Sequence, residues 1–166
     1  MPTSPAAPPA PHAADDAGRD PITVFYQKAD ALCRCALECC RQHERLARLV
    51  ELGALPAEQR AAQSLVQLAD DALAELAAAY EKAAAKGHPD RSEPCWSAAN
   101  QLWMASREYA RRHRTSERAG RNIGENGDHS SARLGELALD YDLEASALLL
   151  LKQATEAYRK ARPHVH

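Results

Sequence analysis

From Ile22 to Val50 the chain places an apolar or small residue, or a histidine, at alternating steps of three and four: Ile22, Phe25, Ala29, Leu32, Ala36, Cys39, His43, Leu46 and Val50. At 3.6 residues per turn such spacing keeps one side of an α-helix inward over its whole length. A seam this long must bury against other helices. Asp20 is placed as an N-cap acceptor and Pro21 fits the first helical position, where the missing N–H costs nothing; Gly53 is suited to follow the last turn. The pattern predicts a helix over 21–52, about 45 Å long at 1.5 Å per residue.

Three more helices are predicted in the same way. Residues 56–86 run from Leu55-Pro56 to Gly87 and Pro89, with Ala62, Leu65, Leu68, Ala69, Ala72, Leu76, Ala79 and Ala83 as the expected inward stripe. Residues 93–119 carry Trp96, Ala99, Trp103, Ser106, Ala110, His113 and Glu117, flanked by Leu102 and Tyr109. Residues 130–162, capped by Asp128 or Ser130 and stopped before Pro163, carry Leu134, Leu137, Tyr141, Glu144, Leu148, Leu151, Thr155 and Tyr158. Between the last two helices, Gly120 to His129 is expected to be a glycine-rich loop. Short connections make successive helices antiparallel neighbours, which gives an all-α, up-down-up-down four-helix bundle over 20–166. A helical hairpin that pairs with a second copy is the alternative. No repeat of solenoid length is present, since the four seams differ in composition.

Residues 1–19 hold prolines among Ala, Ser and Asp and offer no face to bury, so they are expected to form a disordered tail. That segment lacks both a basic start and an apolar core, unlike a secretory signal, and no run reaches the ~20 apolar residues that span a bilayer. The net charge of −2 argues against general attraction to nucleic acid or to a membrane surface. These features predict a cytoplasmic protein with no membrane association. Four of the five cysteines crowd into Leu32 to His43, and Cys39 and Cys40 are adjacent, which argues against a disulfide framework.

Aligning the helices as a bundle brings polar seam residues to one region. His43 and His113 lie at similar heights on two parallel helices and lean toward their own N-termini, while Glu144 leans the opposite way. They are expected to converge with Cys39 and Tyr141. Two readings are open. One is a buried hydrogen-bond network in which Glu144 accepts from a histidine and fixes helix register. The other is a metal site drawn from Cys35, Cys39, His43, His113 and Glu144, whose thiol, imidazole and carboxylate donors suit zinc or copper. Against the metal, the second helix offers no ligand at this level, and the Glu-x-x-His pairs of di-iron bundles are absent. Cys35, Cys39 and His43 form an i, i+4, i+8 stripe, while Cys33 and Cys40 flank it as small core-filling residues and Cys95 stands apart.

The stretch Arg107 to Arg121 carries six arginines against two glutamates, and it shares one pole of the bundle with Arg41, Arg45 and Arg48. The N-termini of the second and fourth helices point there as well. Arg111, Arg112, Arg114, Arg118 and Arg121, with the loop 120–129, are the expected contacts for an anion or an acidic partner; without interleaved aromatics, base stacking is not indicated. The opposing reading is that these arginines complement helix C-termini and keep the surface solvated. No G-x-S-x-G elbow and no phosphate loop is present, so nucleophilic catalysis has no support, and a small helical enzyme would need one of the same polar residues as its acid or base. It favours a binding or structural module that engages a protein partner, or itself, through the arginine pole. The alternative is a metal- or thiol-handling bundle; no cofactor is required by the first reading, and zinc or copper by the second.

Overall fold

The computed structural model describes residues 18–127 and 129–163 and folds them into a four-helix bundle: α1 Pro21–Glu51, α2 Pro56–Gly87, α3 Pro94–Asn126 and α4 Ser131–Ala161. The expected tail falls largely outside the described residues. No described helix is long and apolar enough to cross a membrane. The hairpins α1–α2 and α3–α4 are the most extensive pairings, and they close on each other through α2–α3 and α1–α4.

The caps follow the sequence in part. Proline opens α1, α2 and α3. Asp20, expected to cap α1, accepts instead from the Thr23 hydroxyl at 3.3 Å, leaving only its backbone carbonyl to receive the Val24 N–H. Ser130 does cap α4, its Oγ accepting from the Arg133 N–H at 3.4 Å.

The expected loop from Gly120 to His129 is mostly helix. No proline interrupts this stretch, and each glycine costs a helix only about 1 kcal/mol. Gly120 lies against Tyr141, whose hydroxyl would be 3.3 Å from an added Cβ, so a larger residue would crowd α4 there. The helix ends at Gly127, whose φ of +63° suits a residue without a side chain, and its N–H bonds the Ile123 carbonyl.

The core is apolar at one end and polar at the other. Phe25, Leu32, Leu73, Leu102 and Leu151 are fully buried, with Ala29, Ala36, Ala77 and Ala99 allowing close helix approach. Each such leucine contributes roughly 1.5–3 kcal/mol by burial. Gly87 permits the tightest contact, since a Cβ there would come within 3.0 Å of the Pro21 carbonyl oxygen and 3.2 Å of Phe25 Cβ. At the same end Asp30 on α1 accepts from Tyr158 Oη at 2.6 Å and from Arg162 Nε at 2.6 Å, tying down the end of α4. Arg162 also lies 4.7 Å from the Tyr26 ring centre.

Three expected stripes need correction. On α1 the inward seam stops short of the helix end, where Val50 is 55% exposed. On α2 the inward residues are Ala62, Val66, Asp70, Leu73, Ala77, Tyr80 and Ala83, while Leu65 and Leu68 are exposed. The register is set by Tyr80, the one aromatic of α2, which is packed 5.2 Å from Phe25. On α4, Leu134 and Tyr141 are exposed and burial begins at Ala147.

Candidate metal centre

The polar layer begins where the leucines end. Cys39 and His43 are one turn apart on α1, so their side chains stack on the same face. Asp70 comes from the middle of α2, Tyr109, His113 and Ser116 from α3, and Glu144 from α4. Every helix therefore supplies at least one polar group.

Asp70 is the hub. Its residue is 6% exposed, and a buried carboxylate is costly unless other groups satisfy its oxygens. Oδ1 accepts from Cys39 Sγ at 3.1 Å and from Tyr109 Oη at 3.1 Å. His43 Nε2 lies 3.2 Å from Oδ1 and 3.3 Å from Oδ2. Tyr109 Oη is also 2.6 Å from His43 Nε2. His113 approaches from the other side, with Nε2 3.3 Å from Asp70 Oδ2.

His113 is held from behind. Its Nδ1 lies 2.7 Å from Glu144 Oε1, and Ser116 Oγ donates to Glu144 Oε2. The Tyr109 ring stacks on the His113 ring with centres 6.0 Å apart. With Nδ1 spent on a carboxylate, the ring turns Nε2 toward the layer, where that buried atom makes no hydrogen bond. A histidine whose outer nitrogen is fixed by a carboxylate is oriented as metal-binding histidines are.

The electrostatics favour charged carboxylates and protonated thiols. Burial pushes the Asp70 carboxyl up, but the hydrogen bonds from His43 and Cys39 and the nearby His113 outweigh it, leaving it below the usual range. Glu144 behaves alike: burial raises it, and His113 and Ser116 bring it down overall. The Glu144 hydrogen bond lifts His113 above the ordinary histidine value, against the opposing effect of burial. Burial, then the charge and hydrogen bond of Asp70, drive the Cys39 thiol far above its ordinary value. Tyr109 is pushed up by burial and by the same carboxylate.

Of the residues expected as ligands, Cys39 and His43 meet with Asp70, their donor atoms all within 4.8 Å of one another. His113 and Glu144 join through Asp70 Oδ2 and through each other. Cys35 does not join; its Sγ points to the Ala69 carbonyl at 3.8 Å. Tyr141, expected to converge here, is 51% exposed. Against the expectation that α2 offers no ligand at this level, Asp70 brings a buried carboxylate there, on the face shared with Val66 and Leu73. Ser116 was also missed. All five cysteines are free, and Cys33 and Cys40 are buried as packing residues.

At the arginine pole, Arg111 and Arg112 both bind Glu108, with nitrogen–oxygen distances of 2.7 and 2.8 Å, and Arg121 pairs with Glu117. Arg114 and Arg118 are exposed and have no partner among the described residues. The pole therefore carries less free positive charge than its arginine count suggests. Compared with known proteins, the chain matches no family model, no curated protein and no solved structure.

Proposed function

We propose that this protein is a metal-binding helical bundle whose polar layer holds one transition-metal ion, with zinc as the best match. The observation that carries the reading is the grouping of Cys39, His43 and Asp70 donor atoms within 4.8 Å of one another in the interior. A tetrahedral zinc with bonds of about 2.0–2.3 Å separates its donors by roughly 3.3–3.7 Å. The distances from Asp70 Oδ1 to Cys39 Sγ and to His43 Nε2, 3.1 and 3.2 Å, lie just below that spacing. Mixed sulfur, nitrogen and oxygen donors suit an ion of borderline softness.

In this reading Cys39, His43 and Asp70 are the ligands, and His113, held by Glu144, stands against the other oxygen of Asp70 and steadies that carboxylate. Tyr109 and Ser116 hold the carboxylates in place. Binding replaces hydrogen bonds that the same groups otherwise make to one another and releases the Cys39 thiol proton. A buried site with ligands from every direction favours retention of the ion over turnover.

The test is competition titration of reduced, tag-free protein with zinc against a chromophoric chelator. One ion per chain is expected, with affinity at least 100-fold weaker in His43→Ala and in Asp70→Ala. Absence of stoichiometric binding, or binding unchanged in both variants, sinks the reading.

A further inference from the structure

A second surface, distinct from the polar layer, lies on the outer side of α3 and α4. Four leucines in succession, Leu148 to Leu151, cannot all face one core: Leu151 is fully buried, while Leu149 and Leu150 are 57% and 56% exposed. Leu150 belongs to a stripe on the outside of α4 with Leu139, Leu143, Ala157 and Ala161, spaced by fours and sevens as a helix-packing seam is. Leu139 is 59% exposed. Beside the stripe, Met104 and Ala105 of α3 complete an apolar groove of about 540 Å³. A helix apolar on two sides has two partners, and the described residues supply only one of them.

We propose that the outer groove pairs with a second copy of this chain, the two α4 helices running antiparallel about a twofold axis at Leu150. An isologous contact sets residues equally far on either side of the axis against each other. Leu143 then meets Ala157 of the second copy and Leu139 meets its Ala161, so large residues face small ones twice over. Asp142 and Lys160 are eighteen residues apart, which is five helical turns, and so share one flank of α4. An antiparallel twofold brings like flanks together, which sets Asp142 near Lys160 of the second copy. Both residues are exposed, and neither side chain has an ion-pair partner among the described residues. Charge and size are thus complementary in the same register.

The experiment is sedimentation velocity of the full chain over a range of micromolar concentrations. A dimer is expected, with Leu150→Glu monomeric and its helical circular dichroism unchanged, because Leu150 is already exposed. Asp142→Lys should weaken association at least tenfold, and adding Lys160→Asp should restore it. A monomer at every concentration overturns the proposal. So does a dimer that survives Leu150→Glu, or a double variant no tighter than Asp142→Lys.

Discussion

Asp70 Oδ2 stands 3.3 Å from His113 Nε2, a buried ring nitrogen without a hydrogen bond, because Glu144 has taken the other nitrogen of the same ring at 2.7 Å. Three helices, α2, α3 and α4, meet in this relationship.

Asp70→Ala removes the acceptor shared by Cys39, His43 and Tyr109. Leaving those buried groups unsatisfied should cost about 1–3 kcal/mol of folding stability in the ion-free protein, measured by urea denaturation. A loss within error of zero would mean that the layer relaxes freely, contrary to the packed arrangement described.

The His113–Glu144 pair sets a pH window for the ion-free protein. The His113 pKa is raised above its ordinary 6.5, so its contribution is present below about pH 6.5 and is lost as pH rises through the folded-state value. The Glu144 pKa is lowered from 4.5, so its contribution is present above that pH and is lost as pH falls through the folded-state value. Both contributions are complete between those two values. Denaturation midpoints measured across pH should show this plateau in chelator-treated protein, and Glu144→Gln should flatten its alkaline side. An unchanged profile in that variant counts against the pair.

Gly87→Ala should destabilise the fold by about 1–2 kcal/mol, even though alanine favours helix over glycine by about 1 kcal/mol. The added methyl meets the Pro21 carbonyl oxygen, which is backbone and can yield only if α1 moves. A rise in melting temperature would show that the two helix ends are not in close contact.

Thiol labelling of native, ion-free protein should modify the half-buried Cys35 and Cys95 before Cys39. Cys39 has no exposed surface, and its thiol is held protonated by burial and by Asp70. Mass spectrometry of partly labelled protein gives the order directly; early modification of Cys39 would contradict the described burial.

Most of the fold was legible because α1 and α3 contrast strongly between faces, and their periodicity survives polar interruptions. The Ala-rich α2 lacks that contrast. Its leucines at 65 and 68 drew the stripe to the wrong face, although reading backward from Tyr80 through Ala77, Leu73, Asp70 and Val66 gives the inward side. Asp70 was therefore invisible as a site residue while His43, His113 and Glu144 stood out as polar positions in apolar seams. The glycines at 120 and 124 signal a loop in sequence, but their low helix propensity is overridden by the continuation of α3 alongside α4.

Cobalt(II) is the most direct probe of a single ion shared by Cys39, His43 and Asp70. Ion-free, reduced protein titrated with cobalt should develop the intense visible bands of a tetrahedral ion and a near-ultraviolet thiolate charge-transfer band, saturating at one equivalent. Cys39→Ser should abolish the near-ultraviolet band. The pale spectrum of the hydrated ion, or a thiolate band that persists in Cys39→Ser, would contradict the account.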